Sequence, residues 1–431
     1  MRGILPALVI SAAMLVEWPC GMASPSSGVG GARNPWKVEI TLYDNPNASS
    51  IGVADCALLA DDAIIVPISV TWRGRFHGYD WYSPKDTMNL NLVSRDRGLS
   101  WQVWDEPIPP GAFHLRDRSW LRIRWLGYQV HPMSELPEWE RAGYWVYMVP
   151  EEQAFSTTGG FAVERSRDHG KTWQSAEIKL PHRAFLAGYG MTTARMLSDG
   201  TILMPAFGYQ TRRHKTYSCS VIRSTDGGKT WRLIIVAQDE RPQAVADSDL
   251  PSGSIWAKFP EARGFDETSL VETRTPGRVV AVIEESQGKE LFTCVSHDRG
   301  ETWSKPRSTG MFGVTPFLLR LKSGALACAF TNRYHGSENE RGMWVCYSHD
   351  DGETWDAAHP AILRDYNARA DSQCLWNFVQ FSDGTLFASG WGLKTGCGGG
   401  NEISYAVGFR FTEDFRTPLR VVASPKPQGH R

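Results

Sequence analysis

The chain has 431 residues with 46 Lys and Arg against 47 Asp and Glu, a formal net charge of −1. Both signs are interspersed, and no polybasic stretch offers a footprint for nucleic acid or an anionic membrane surface, so neither is expected as a partner. The chain exceeds the usual length of one domain, but closed β architectures grow by adding units around one axis, and a single domain is expected.

In chain order, Ile4–Val16 is an apolar run behind Arg2, followed by the small residues Gly21-Met22-Ala23. This reads as a signal peptide over 1–23, with a mature domain over 24–431 that is secreted or periplasmic. No later segment has the length of a membrane helix, so no membrane span is expected. If cleavage removes Cys20, seven cysteines are left, and seven cannot all pair. Cys219, Cys294 and Cys346 stand in apolar strand patterns, where a small buried thiol is the expected state. No CxxC or HExxH spacing occurs, and neither a metal nor another cofactor is expected.

Apolar runs broken by a short turn then recur. Asp55–Val70 reads as two strands around Asp61-Asp62, with a third at Met88–Val93. The first strands of the next unit fall within Trp120–Val149, with an insertion near His131-Pro132. Met191–Ala206, Thr268–Ile283, Thr315–Phe330 and Leu375–Ser389 repeat the design around Ser198-Asp199-Gly200, Pro276-Gly277, Lys322-Ser323-Gly324 and Ser382-Asp383-Gly384. The glycine-rich 396–401 has no helix pattern after it and reads as a loop rather than a phosphate cradle.

An octapeptide follows five of these runs: Ser94-Arg-Asp96-Arg-Gly98-Leu-Ser-Trp101, Ser166-Arg-Asp168-His-Gly170-Lys-Thr-Trp173, Ser224-Thr-Asp226-Gly-Gly228-Lys-Thr-Trp231, Ser296-His-Asp298-Arg-Gly300-Glu-Thr-Trp303 and Ser348-His-Asp350-Asp-Gly352-Glu-Thr-Trp355. Its copies recur 72, 58, 72 and 52 residues apart, a spacing that suits a four-stranded blade with loops of variable length. Ser and Asp side chains accept hydrogen bonds from nearby N–H groups, Gly supplies a positive φ, and Trp anchors the turn.

The pattern resembles the Asp box of the sialidase (neuraminidase) superfamily. The resemblance implies an all-β, six-bladed β-propeller in which the boxes join the third and fourth strands of a blade, away from the active site. A sixth unit, from about residue 365, has no box. Val38–Leu42 is expected to close the ring by supplying its missing outer strand.

The family uses three arginines to clamp a substrate carboxylate, a Tyr nucleophile paired with a Glu, and an Asp acid/base; guanidinium forks match a carboxylate in two-point fashion. By resemblance, Glu267 of Phe265-Asp-Glu-Thr-Ser stands where a family Glu opens an inner strand, and Arg341 stands where the third clamp arginine lies. Asp80 or Asp86 occupies the loop of the family's acid, and Asp55 and Asp371 adjoin family catalytic positions.

The chain also departs from the pattern. No arginine occurs at Ala54-Asp55-Cys56, where the first clamp residue is expected, and Glu284-Glu285 replaces the second. No Tyr occurs in Asp371–Trp376, and Tyr366 comes too early to serve as the nucleophile. Further candidates for substrate binding cluster where strands leave their blades: Arg73, Arg75 and His77; Arg212; Glu284; Arg333 and His335. Carboxylates, Arg and His in several units suit sugar chemistry. Three readings follow: a glycoside hydrolase acting on terminal sugars of glycans through an atypical pocket, a non-catalytic glycan-binding propeller, or a lyase acting on uronate-containing glycans.

Overall fold

The computed structural model describes residues 36–417 apart from 45–49, 54–55, 60, 72–86, 105–111, 116, 127, 143, 145, 150–152, 159, 169, 179–184, 190–193, 210–216, 240–263, 287–289, 333–341, 366–373 and 394–403. The expected leader lies outside them. Pro35–Arg431 forms one compact unit, and among the described residues no helix is long and apolar enough to cross a membrane.

Six antiparallel sheets make up the blades. Blade one runs from Ser50–Val53 and Ala57–Leu58 through Ile64–Thr71 and Thr87–Ser94 to Gln102–Trp104. Blade two comprises Phe113–His114, Trp120–Trp125, Phe161–Ser166 and Gln174–Ile178. In blade three, Phe185–Tyr189 and Arg195–Met196 precede Ile202–Tyr209, Tyr217–Ser224 and Arg232–Gln238. Blade four is Phe265–Glu272, Val279–Glu285, Glu290–Ser296 and Arg307–Phe312. Blade five is Val314–Arg320, Leu326–Asn332, Gly342–Ser348 and Ala361–Asp365. Blade six holds Cys374–Gln380, Leu386–Leu393 and Ser404–Phe411, and its outer strand is Lys37–Asp44 from the other end of the chain. The expected ring closure is present: Val38 pairs with Arg410 and Ile40 with Gly408.

The apolar core lies between blades. One cluster joins Leu203 and Val221 of blade three to Leu270 and Val279 of blade four. Another joins Val280 and Val282 of blade four to Leu318 and Cys328 of blade five. Blade neighbours cover both faces of a middle strand, which explains why Val279–Ile283 and Leu326–Phe330 are apolar without alternation and fully buried.

Each Asp box joins a third strand to a fourth. In blade four, Asp298 Oδ1 accepts from Thr302 N (2.8 Å) and Ser296 Oγ (2.8 Å), Oδ2 accepts from Thr302 Oγ1 (2.5 Å), and Trp303 Nε1 donates to Gly300 O (3.2 Å). The box also docks on the preceding blade. A Cβ on Gly300 would come within 2.9 Å of Leu203, and one on Gly352 within 2.9 Å of Val280, at φ of +80° and +86°. Glycine is required there for conformation and close approach together.

A second turn repeats between the inner and second strands. Leu59, Leu115, Leu197, Leu321 and Phe381 each donate their N–H to the carbonyl four residues on, and blade four has a longer version from Thr273 to Arg278. Asp117 Oδ1 accepts from Ser119 N (3.0 Å) just as Asp199 Oδ1 accepts from Thr201 N (2.9 Å).

Blade two corrects the sequence reading. Its inner and second strands lie at 113–114 and 120–125, and the insertion is an added three-stranded sheet of Tyr128–Pro132, Ala154–Thr158 and Tyr147–Val149, with a short helix Leu136–Arg141.

Candidate functional site

Strands alternate in direction, so the boxes and the inner-to-second turns share one end of the propeller. The starts of the inner strands and the links from second to third strands share the other. Function is sought at this second end, where residues from several blades converge on the axis.

Four inner strands begin with the same irregularity. In blade four Asp266 pairs with Glu284 and Ser269 with Val282, so Glu267 and Thr268 together oppose Ile283. One extra residue likewise enters the inner strand between Val314 and Phe317, between Leu375 and Asn377, and between Leu186 and Gly188. Such bulges bend a strand and re-aim its side chains, and they recur beside active sites. Glu267 has φ of +44° and Thr315 φ of +55°, the left-handed region that costs a residue with a Cβ about 1–2 kcal/mol.

Side-chain bonds to the backbone then tie the bulges together around the axis. Glu267 Oε2 accepts from Thr315 N at 2.7 Å, and Ser269 Oγ accepts from Leu318 N at 2.8 Å, linking blade four to blade five. Thr331 Oγ1 accepts from Leu375 N at 3.3 Å, from five to six. Asn377 Oδ1 accepts from Cys56 N, from six to one, while Asn377 Nδ2 donates to Ser389 Oγ at 2.7 Å. Cys219 Sγ donates to Asp266 O at 3.4 Å, from three to four.

Blade four concentrates acid here. Asp266 and Glu284 are 2% and 1% exposed and stand opposite each other across the ladder, with Glu285 one residue on and partly buried. Burying two carboxylates side by side is expensive, and pairs of this kind serve acid/base chemistry in many sites. Burial pushes the neighbouring Cys219 thiol well above its ordinary range; a hydrogen bond with Thr268 opposes this and the Asp266 carboxylate adds to it. Burial also pushes Cys294 up to about 12. Cys219, Cys294 and Cys346 are buried and unbridged, the state expected of them, and so is Cys328.

Of the residues singled out in the sequence, the structure places Glu267 and Glu284 together at this end of blade four. Glu284 and Glu285 are the last two residues of the second strand rather than part of a loop beyond it. Asp55, Asp80, Asp86 and Asp371, and Arg73, Arg75, His77, Arg212, Arg333, His335 and Arg341, lie outside the described residues. The strands flanking the segments that contain Arg73 to Asp86, Arg212, and Arg333 to Arg341 stop and resume at the same end as Glu267. Asp266 was not foreseen as a site residue. Its signal was its place in a hairpin with Glu284, visible only once the bulge is known.

The fold and the five boxes define a six-bladed propeller of the sialidase type. The BNR repeat-like domain family matches residues 144–406, more than half of the chain, and the chain belongs to that family, within the sialidase superfamily. A sialidase of Bacteroides fragilis is 23% identical over 251 residues, which make up 54% of this chain and 40% of that protein's own length. Among solved structures, a protein of unknown function from Dyadobacter fermentans superposes with a TM-score of 0.59 at 18% identity, covering 88% of this chain and 99% of its own. The intramolecular trans-sialidase of Ruminococcus gnavus, solved with oseltamivir carboxylate, superposes with a TM-score of 0.52 at 11% identity, covering 87% of this chain and 97% of its own.

Proposed function

We propose that the protein is an exported glycoside hydrolase that removes terminal sugars from glycans and that its pocket is not built to grip an anionic sugar. The observation that carries this reading is the acidic start of blade four. Glu267 is held at a bulge by Thr315 N, beside the buried pair Asp266 and Glu284. The family resemblance puts a clamp cation where Glu284 and Glu285 stand, and like charges there repel a carboxylate-bearing sugar. Carboxylates in place of a cation suit a substrate that is neutral at this position and offers hydroxyl donors.

Glycoside hydrolysis needs one carboxyl group to protonate the leaving oxygen and one to attack or to activate water. Glu267 is assigned the attacking or base role because its orientation is fixed and one of its oxygens is already stabilised by a backbone N–H. Glu284, Asp55, Asp80, Asp86 and Asp371 are the candidates for its partner. Arg73, Arg75, His77, Arg212, Arg333, His335 and Arg341 are assigned to substrate hydroxyls or a remote acidic group.

Incubating the purified chain with a panel of neutral, uronic and sialic acid 4-methylumbelliferyl glycosides tests the assignment. The reading expects hydrolysis of a neutral glycoside and its loss in Glu267→Gln. Release of an unsaturated uronate absorbing in the ultraviolet from a uronate-containing oligosaccharide substituted at O4, incubated beside the panel, would replace it with a lyase, and binding without any product would replace it with a glycan-binding propeller.

A further inference from the structure

The insertion in blade two lies between that blade's second and third strands, so it rises from the same end of the propeller as Glu267. It continues the blade in the same register. Trp125 pairs with Phe161, Leu126 N donates to Gly160 O at 2.9 Å, and Tyr128 pairs with Thr158, all in one register that runs on to Pro132 and Ala154. Leu126 and Tyr128–Pro132 therefore prolong the central hairpin, by about 20 Å from Leu126 to Pro132 at the rise of a β-strand. A ladder that keeps one register from Trp125 to Pro132 on the described residues makes this a stiff arm rather than a loose loop.

The unshifted pleat also fixes which way the arm faces. His131 and Phe155 lie on the same face as Leu121 and Phe161, which pack against Ile202 and Met204 of blade three. In agreement, Ala154–Thr158 touches the inner-strand segment Phe185–Tyr189 of blade three. Tyr128–Pro132 prolongs the second strand and is the edge of the arm nearer the axis. Among the described residues it pairs only with Ala154–Thr158.

On that face the arm carries an aromatic group with polar neighbours. The Trp139 ring lies 4.4 Å from the His131 ring and 4.7 Å, edge-on, from Tyr144. Trp139 Nε1 donates to Glu135 Oε2 at 3.5 Å, and His131 Nε2 shares a hydrogen bond with Thr157 Oγ1 at 3.0 Å. Trp139 and Tyr144 are half-buried, and the bond from the Trp139 indole N–H to Glu135 is exposed, so part of that indole stays open. An open indole beside fixed polar groups has the chemistry that receives a sugar ring: its face meets the apolar C–H side, and the polar groups meet the hydroxyls.

We propose that this arm is a second carbohydrate subsite, which takes the portion of an oligosaccharide beyond the terminal sugar, with one ring stacked on Trp139. The proposal rests on the reading of the protein as acting on glycans. It adds a preference for chain length set by blade two rather than by the pocket.

The test compares kcat/KM for a trisaccharide with that for the methyl glycoside of its terminal sugar, in the full chain and in three variants. These are Trp139→Ala, Trp139→Phe, and a chain in which 127–159 is replaced by a two-residue turn that closes Leu126 onto Gly160. The preference for the trisaccharide falls about tenfold in Trp139→Ala, the size expected of one lost aromatic stack, falls likewise in the shortened chain, and is largely kept in Trp139→Phe. An unchanged preference in both Trp139→Ala and the shortened chain overturns the proposal, as does equal loss on both substrates in properly folded protein. If the wild type cleaves nothing, the dissociation constant for the same trisaccharide decides. Binding that weakens in Trp139→Ala supports the arm while removing the hydrolase reading, and absence of binding removes both.

Discussion

Replacing Glu267 separates its chemical role from its structural one, because three substitutions act on different parts of its geometry. Glu267 accepts from Thr315 N at 2.7 Å and sits at φ of +44°. Glu267→Gln keeps an oxygen acceptor for that N–H and exchanges a charged hydrogen bond for a neutral one, at a cost of about 1 kcal/mol. Glu267→Ala leaves the N–H without its acceptor, about 1–3 kcal/mol, and keeps a Cβ in the left-handed region. Glu267→Gly loses the same bond but removes about 1–2 kcal/mol of conformational strain, against roughly 0.5–1 kcal/mol of added unfolded-state freedom. Glycine at this position is therefore expected to be more stable than alanine by about 0.5–1 kcal/mol, and glutamine more stable than either. Urea unfolding midpoints measure the order, and turnover of the preferred glycoside measures the chemistry. Turnover falls by about 10³-fold or more in all three, since a positioned acid/base group supplies roughly that factor. Alanine at least as stable as glycine refutes the strain argument, and full turnover in Glu267→Gln removes Glu267 from the catalytic set.

Other expectations concern the frame that holds the site. Asp226 and Asp298 are held down to about 2, because hydrogen bonds from Thr230 and Thr302 and from Ser224 and Ser296 outweigh the effect of partial burial. A carboxylate depressed in the folded state contributes stability that is present above its unfolded value near 4 and lost as pH falls from there towards 2. Melting temperatures across pH 6 to 2 should drop in that window, less steeply in Asp298→Asn; a flat profile contradicts the assignment. Gly352→Ala places a Cβ within 2.9 Å of Val280 at φ of +86° and should cost about 2–4 kcal/mol. Introduced into a Val280→Ala background, the same change should cost about 1 kcal/mol less, as a double-mutant cycle will show. Removing Lys37–Asp44 uncovers the edge of Ser404–Phe411 and should produce aggregates or dimers by light scattering, whereas a stable monomer would mean the closing strand is dispensable.

Features set by local chemistry were legible in the sequence. The Ser-x-Asp-x-Gly-x-Thr-Trp turn is closed by bonds within eight residues, so it announces itself wherever it occurs and marks five of the six blades; the sixth showed in its apolar runs and in the family resemblance. The closing strand was legible because the sixth unit lacked an outer strand and an alternating segment stood near the other end of the chain. Blade two was misplaced for a physical reason. Its turn, Leu115-Arg-Asp117-Arg118-Ser119, has the hydrogen bond of the turns in blades one, three, five and six but puts Arg118 at φ of +63°, where blade one has Asp62 and the other three have glycine, and its inner strand is two residues long. The arm after Trp125 then reads as further strand. The acidic pair was hidden by register. Counted regularly from the pairing of Glu272 with Val279, the ladder would set Glu267 opposite Glu284, and only the bulge puts Asp266 there. Bulges depend on what neighbouring blades demand of the backbone, which no local pattern encodes.

Carboxylates in place of a cationic clamp decide which sugars the pocket accepts, and one assay addresses this directly. Release of 4-methylumbelliferone from its α-sialoside should be absent while a neutral glycoside in the same panel is hydrolysed. Sialoside turnover equal to or above that of every neutral glycoside would contradict a pocket closed to anionic sugars, and would mean that arginines such as Arg333 and Arg341 assemble an anion clamp despite Glu284 and Glu285.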